Sequence, residues 1–221
     1  MQGSRSDYTG QDGDSGYADG KKTYQGILRK VGTAMRAYKG FNENLACTYG
    51  KGIFYYQPGA TYREKGSKTA STGFHSAENP ADCFTWYPPN GSNRFFLVEV
   101  GGSIDEGIDD TKIASTELTL VEELNLKQMT LACMIYMTKH PMREWKCSGS
   151  HHEIDGQAEI ASGIAIGRGE KPKAKAKSGC IGLVLERNGV VMQAKAAMVD
   201  GKNIKSNKWY TITEEGTLVC E

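Results

Sequence analysis

The segment of the chain best equipped for chemistry is residues 72–87, TGFHSAENPADCFTWY, where a histidine precedes a helix start and a tyrosine ends it. Asn79 followed by Pro80 predicts an N-cap and a first helical residue, with a short helix reaching Tyr87. His75 would then lie near the free backbone amides of the helix N-terminus, which attract anions. This arrangement predicts a phosphate or nucleotide site in which His75 donates and Tyr87 stacks.

A structural interpretation of the same segment stays open. His75 can cap the helix without touching any ligand, and Phe74 and Trp86 can be core residues. A single histidine does not decide between the two interpretations, because no second catalytic group follows it at a fixed spacing.

The cysteine and histidines of KCSGSHH, Cys147, His151 and His152, with His140 nearby, are possible metal ligands. Zinc sites usually have paired ligands at short spacing on both sides of a loop, and that spacing is not repeated here. We therefore expect a polar surface loop and predict no metal site.

A basic stripe follows, in which lysines alternate with proline and alanine on one face of a strand: Lys171, Lys173, Lys175 and Lys177. Successive side chains of a strand point to opposite faces, so the four ammonium groups would share one face. That face is either a solvated surface protected against edge pairing or a contact for an anionic partner.

Composition limits the partners of this chain of 221 residues, whose formal net charge is +1. A dedicated nucleic-acid binder is normally far more basic, and a balanced charge gives no attraction to a membrane surface. No stretch approaches the roughly 20 apolar residues of a membrane-spanning helix. The six cysteines follow no secretory signal, so we expect reduced thiols and an intracellular protein.

The predicted elements indicate an α+β fold. A mixed or antiparallel sheet comes first, with strands at residues 35–41, 52–56 and 94–100, of which the last is the richest in aromatic and β-branched residues. One long helix follows at residues 124–139, with acidic residues before it and Pro141 after it.

After the helix, small residues alternate between glycines at residues 158–180, which predicts a short β-roll followed by C-terminal hairpins. Residues 1–24 contain almost no aliphatic side chains and cannot bury enough apolar surface to order themselves. The predicted organisation is therefore a polar flexible extension at residues 1–34, an α+β domain at 35–145, and a β-roll and hairpin module at 146–221.

Short motifs mark the chain at intervals. Met-x-Ala-Tyr-Lys-Gly-Phe occupies residues 35–41, Gly-Phe-His-x-x-Glu-x-Pro-x-Asp occupies 73–82, and Trp-Tyr-Pro-Pro occupies 86–89. The last motif, Val-Asp-Gly-Lys-x-Ile-Lys followed by Trp-Tyr, occupies 199–210. In these motifs, and in its Ala/Gly-rich segment, the chain resembles over residues 35–221 a group of uncharacterised phage and prophage proteins.

This resemblance implies a viral setting, in the virion or in the host cytoplasm, and it implies no activity. A β-roll as short as the one predicted needs its ends covered. We therefore expect an accessory or virion-associated protein that acts by binding and assembly. Its partners would be further copies of the chain, in a homo-oligomer, or viral structural proteins, and no cofactor is predicted.

A second resemblance starts from the Tyr-Lys-Gly sequence at residues 38–40 and the Gly-Phe-x-Ser sequence at residues 73–76, which precedes a helix ending in tyrosine. These features are similar to ADP-ribosyltransferase-type folds. The resemblance implies that the cofactor is NAD and that the ligand-binding residues are His75, Tyr87, Tyr38 and Ser76.

Under this alternative the protein is ADP-ribosyltransferase-like or nucleotide-binding and acts on the host cell, with Glu99 or Glu117 as the catalytic glutamate. The Glu-x-Glu pair and the Ser-Thr-Ser sequence of many such enzymes are absent. The alternative requires His75, Tyr87 and Tyr38 to line one cavity with a glutamate opposite.

Overall fold

Strands dominate the computed structural model, which describes residues 35–48, 52–89, 91–107, 110–143, 147 and 149–221. Of the described residues, 53% lie in strands and 11% in helices. Neither described helix is long and apolar enough to cross a membrane. The polar extension predicted at residues 1–34 lies outside the described part of the chain.

The first half of the chain supplies seven strands and a short 3-10 helix. In chain order these are β1 (Met35–Phe41), β2 (Ala46–Cys47), β3 (Phe54–Tyr55), β4 (Thr61–Arg63), β5 (Phe74–Ala77), the 3-10 helix (Pro80–Thr85), β6 (Arg94–Glu106) and β7 (Lys112–Leu124). The short strands β2 and β3 pair only with each other, and the other five belong to one antiparallel sheet.

That first sheet closes into a ring. β7 pairs with both β5 and β6, and β1 lies between β5 and β6, so four strands complete the ring while β4 adds to β7. Ala37, Val98 and Leu120 are register neighbours on three strands, and all three are fully buried. Together with Phe41 and Phe96 they form the core of the ring.

The second half supplies α1 (Leu126–Lys139), β8 (Ser150–Ile154), β9 (Gln157–Gly169), β10 (Lys173–Arg187), β11 (Val190–Met198), β12 (Tyr210–Ile212) and β13 (Leu218–Cys220). Asn125 caps α1 with a capping box, in which its side chain accepts from the Gln128 N–H and the Gln128 side chain accepts from the Asn125 N–H. The helix packs on β10 and β11, and its methionines Met129, Met134 and Met137 are buried, as core packing predicts.

Neighbouring strands of the second sheet approach each other closely at glycine residues. β8, β9 and β10 run parallel, an arrangement in which Gly163 lies beside Gly179. A Cβ atom built on Gly179 would lie 2.0 Å from the Gly163 carbonyl oxygen, and one built on Gly163 would lie 2.3 Å from that of Gly149. Both Gly163 and Gly179 also have positive φ. Only glycine satisfies both constraints.

The predicted α+β class with one long helix is wrong, because the described residues form a mainly β protein with several sheets. The 14-residue helix α1 covers part of one sheet and does not form a layer of its own. The error has a physical cause. Strands such as β7, β9 and β10 contain many small and polar residues, so their sequences carry a weak strand signal until their pairing partners are known.

Candidate functional site

One cavity brings together the four ligand-binding residues predicted from sequence. Tyr38, His75, Ser76 and Tyr87 all line a space of about 520 Å³. A volume of this size suits a small molecule. The structure thus places side chains from β1, from β5 and from the end of the 3-10 helix around a common space.

The cavity exists because β1 and β5 separate. β1 pairs with β6 over its whole length, but with β5 it shares only the pair Tyr38 and Ala77. Beyond that pair, the Lys39 ammonium of β1 donates to the His75 carbonyl oxygen of β5. The Tyr87 ring packs against Gly40, where an added Cβ would lie 2.7 Å from Tyr87 Cδ2. Glycine at position 40 therefore allows the ring to close one wall.

Lys39 is the main polar group that sequence reasoning missed. It is 7% exposed, and its ammonium group donates to the His75 carbonyl oxygen. Nζ also lies 5.4 Å from the ring centroids of both Phe41 and Tyr56. None of the ion pairs between described residues includes Lys39. Its buried charge is therefore stabilised by a carbonyl dipole and two ring faces instead of a carboxylate.

A signal for Lys39 was present in the sequence. Ala37, Lys39 and Phe41 alternate along β1 and share the face that forms the core of the ring. A lysine on the apolar face of a strand is rarely fully buried unless its charge has a task or a partner.

Ser76 is a second buried polar residue in the cavity wall. The residue is 6% exposed, and its hydroxyl oxygen has no hydrogen-bond partner among the described residues. Burying a hydroxyl without a partner costs about 1–3 kcal/mol. Ser76 lies in the cavity wall next to His75, with its hydroxyl buried.

His75 is held in one tautomer. The backbone N–H of Ala70 donates to its Nε2 over 3.0 Å, so the proton of the neutral ring is on Nδ1. Burial, then the nearby Lys39 and Lys112 charges, lower the pKa of His75. The ring is therefore a neutral hydrogen-bonding group and not a cation.

The helix N-terminus near His75 is occupied by the protein itself. Asn79 is the N-cap and its side chain accepts from the Ala81 N–H, as predicted. The Asn79 N–H donates to Thr111 Oγ1, and Asp82 accepts from both the N–H and the hydroxyl of Thr111. These contacts tie the 3-10 helix to the start of β7 and use the groups at the helix N-terminus. The positive group that remains for the cavity is the ammonium of Lys39.

The cavity mouth is aromatic and partly exposed. Trp86 is 42% exposed, Phe54 is 41% exposed and Ile53 is 61% exposed, and all three line the cavity. Lys112 places its ammonium 4.9 Å from the centroid of the Trp86 ring and 3.2 Å from Asp110 Oδ2. Phe74, by contrast, is a buried core residue.

The glutamates predicted as catalytic are not in the cavity wall. Glu117 pairs with Arg63 at 2.9 Å, and Glu99 lies 3.9 Å from Arg36. The glutamate that does line the cavity is Glu64, whose Oε2 accepts from the Gly73 N–H over 3.3 Å. Neither predicted position therefore supplies a base to this site.

The basic stripe lies in the second sheet and is partly neutralised within the chain. Lys173 pairs with Glu221, and Lys175 pairs with Glu159 at 2.8 Å while lying 4.6 Å from the Trp209 ring centroid. Lys171 and Lys177 are exposed. A contact with an anionic partner through this stripe stays a prediction.

The cysteine and histidines considered as metal ligands make other contacts. Cys147 Sγ donates to the Ala81 carbonyl oxygen over 2.9 Å, and His151 Nε2 lies 2.7 Å from Glu153 Oε1. In the described part of the chain, no three His, Cys, Asp or Glu residues are grouped to hold a metal ion. All six cysteines are free thiols.

Fold and cavity together define a mainly β protein with a concave site in its first sheet. Residues 35–132 match a domain of unknown function, DUF7666. The match contains every residue that lines the cavity. Searches of curated proteins and of solved structures found no similar protein. A DUF7666 domain is thus present over residues 35–132, and the resemblance to phage proteins stays a prediction.

Proposed function

We propose that the DUF7666 domain is a binding module that holds a small anionic ligand in the cavity between β1 and β5. The observation that carries this proposal is the buried ammonium of Lys39, a cavity-lining residue that has no carboxylate partner among the described residues. An anionic ligand would supply the missing counter-charge.

The energetics favour a ligand role over a purely structural one. A buried ammonium loses several kcal/mol of hydration, which one carbonyl and two ring faces offset only in part. An anion in the cavity would gain a charge-assisted hydrogen bond from Lys39, and Ser76 offers a donor that the described residues leave unused.

Binding, and not catalysis, is the role we propose for these groups. The neutral His75 has its Nε2 occupied by the Ala70 N–H, and Asp82 is committed to Thr111. The cavity therefore has donors for an anion but lacks a free acid–base pair at hydrogen-bonding distance among the described residues.

The substitution Lys39→Met tests this role. Methionine keeps the length and the apolar stem and removes the charge, so we expect the affinity for inorganic phosphate to fall at least about tenfold. We also expect the variant to be as stable as the parent protein or more stable, because an apolar side chain of similar volume replaces a buried charge. Isothermal titration calorimetry and thermal unfolding measure the two effects.

Lys127→Met is the matched control, since Lys127 is exposed at the start of α1 and outside the cavity. It should leave the affinity for phosphate unchanged. Unchanged phosphate affinity in Lys39→Met, or a loss of stability that accounts for the lost binding, would reject the anion-binding role.

A second proposed function is self-association, which one observation favours. β11 pairs only with β10 among the described strands, and its first residues are large, apolar and exposed. Val190 is 60%, Val191 is 41% and Met192 is 51% exposed. Exposed apolar edges of this kind promote pairing between chains. In the phage setting implied by the sequence motifs, such pairing would assemble the protein with itself or with viral structural proteins.

Val191→Lys together with Met192→Lys should shift the protein from an oligomer to a monomer. Charges on an edge strand oppose strand-to-strand pairing and exposed apolar contact. Light scattering coupled to size-exclusion chromatography measures the mass. Val121→Lys, at a 43% exposed position of β7, is the control and should leave the mass unchanged. A monomeric parent protein at high concentration would refute self-association.

A further inference from the structure

We propose that the ligand of the cavity is a planar aromatic molecule with a single anionic group, of the class to which nucleoside monophosphates belong. This inference rests on the proposed function, because it takes the anion held at Lys39 as its starting point. It adds the number of anionic groups on the ligand and the chemistry of its remaining part.

The charges in the cavity wall limit the ligand to one anionic group. Three carboxylates line the cavity, those of Glu64, Asp82 and Asp110, against two ammonium groups. Lys112 is already paired with Asp110 at 3.2 Å, which leaves Lys39 as the cation available to a ligand among the described lining residues. A pyrophosphate or triphosphate would bring additional negative charges towards these carboxylates, and like charges at such separations repel strongly away from bulk water.

The charge balance is compatible with one phosphate at Lys39, where a single charge-assisted contact is available. Ser76, which also lines the cavity, is 6% exposed and has a buried hydroxyl without a partner among the described residues.

Two of the aromatic side chains that line the cavity have exposed area that a flat ring could contact. Trp86 and Phe54 are both aromatic, both more than 40% exposed and both part of the cavity wall. Exposed aromatic faces beside a buried polar anchor are the arrangement that binds nucleobases and similar rings by stacking. An aliphatic tail would gain less from aromatic faces than a π-system does.

Polar groups near the mouth favour a ring with nitrogen-bound hydrogens over a plain hydrocarbon. Glu64 Oε2 uses one lone pair for the Gly73 N–H, and a carboxylate has capacity for further donors. Asp110 lines the same wall. These acceptors can receive hydrogen bonds from the amino groups of a nucleobase, for which a phenyl ring has no equivalent.

Calorimetric titrations of the full chain with adenosine, cytidine and guanosine monophosphates, adenosine triphosphate, adenosine and inorganic phosphate test the inference. We expect at least one monophosphate to bind about tenfold or more tightly than inorganic phosphate and than adenosine. The triphosphate should bind at least about tenfold more weakly than the monophosphate of the same base, because the carboxylates of the cavity wall repel its additional charges.

The substitution Trp86→Ala tests the contact with the aromatic part of the ligand separately from the contact with its phosphate. It should weaken monophosphate binding about tenfold and leave the affinity for inorganic phosphate unchanged. Trp209→Ala is the matched control, since that tryptophan also carries a lysine over its ring, Lys175 at 4.6 Å, but it directly precedes β12 and does not line the cavity. It should change neither affinity.

The outcomes distinguish this inference from the proposed function. Monophosphates that bind no more tightly than inorganic phosphate, or a triphosphate that binds best, would overturn the inference while Lys39-dependent phosphate binding still supports the binding module. Loss of monophosphate binding in Lys39→Met but not in Trp86→Ala would also overturn it. Phosphate binding that is indifferent to Lys39 would remove both.

Discussion

Replacing Gly179 with alanine should destabilise the protein by about 3 kcal/mol or more, the sum of a steric and a conformational term. The new methyl group would lie 2.0 Å from the Gly163 carbonyl oxygen in the adjacent parallel strand, so one of the two strands must shift. Gly179 also has a φ of 104°, which alanine adopts only with strain. The midpoint of urea-induced unfolding measures the loss.

Gly201→Ala separates these two terms. Gly201 has a φ of 73°, but no heavy atom lies within 4 Å of its added Cβ. Its replacement should therefore cost only the conformational term, about 1 kcal/mol. Equal losses at positions 179 and 201 would show that the close approach between strands β9 and β10 does not limit their packing.

Glu186→Ala should destabilise the protein by about 3–5 kcal/mol, because it leaves a buried guanidinium without its counter-charge. Arg168 Nε lies 3.1 Å from Glu186 Oε2, and the two side chains are only 9% and 13% exposed. Arg168 Nη1 also donates to the Met137 carbonyl oxygen over 3.2 Å, near the end of α1. The pair therefore joins β9, β10 and the helix. Chemical unfolding monitored by fluorescence and by circular dichroism measures the change.

The double substitution Arg168→Met with Glu186→Leu is the control for the charge effect. It removes both charges and fills their space with apolar atoms, so it should recover most of the stability lost in Glu186→Ala. A double variant as unstable as the single one would mean that the hydrogen bond to Met137 and the packing around Arg168, and not the ion pair, hold the helix on the sheet.

Local features of the fold were predictable where neighbouring residues alone determine them. Asn125 with Gln128 forms the capping box of α1, and Asn79 with Pro80 starts the 3-10 helix. Asn188 and Gly189 form the turn between β10 and β11, where both residues have positive φ. In each case the backbone geometry depends on hydrogen bonds or φ values within four residues of chain.

The fold class was not predictable in the same way. The sheet of the first half closes because β7 pairs with both β5 and β6, which are separated along the chain. The register of the parallel strands β9 and β10 depends on the stacking of Gly163 and Gly179. Pairings of this kind depend on distant partners, and strand propensity reflects those partners more than the strand itself.

The residues of the site also fall into two groups, those that the sequence singled out and those that only the structure located. His75, Tyr87, Tyr38 and Ser76 stood out in the sequence by residue type, and the structure brings all four to one cavity. Lys39 did not stand out, although its alternation with Ala37 and Phe41 placed it on an apolar face. Glu99 and Glu117 were predicted as catalytic but pair with arginines away from the cavity.

The sequence alone therefore determined the segment around His75 as the place to look and the cap of the 3-10 helix at Asn79. The tertiary structure decided what that segment can do. β1 and β5 share a single pair, and the gap beyond it contains the buried charge of Lys39. A strand's residues indicate which faces are apolar, but an unpaired edge, and the cavity it creates, arise only when the partners of that strand are in place.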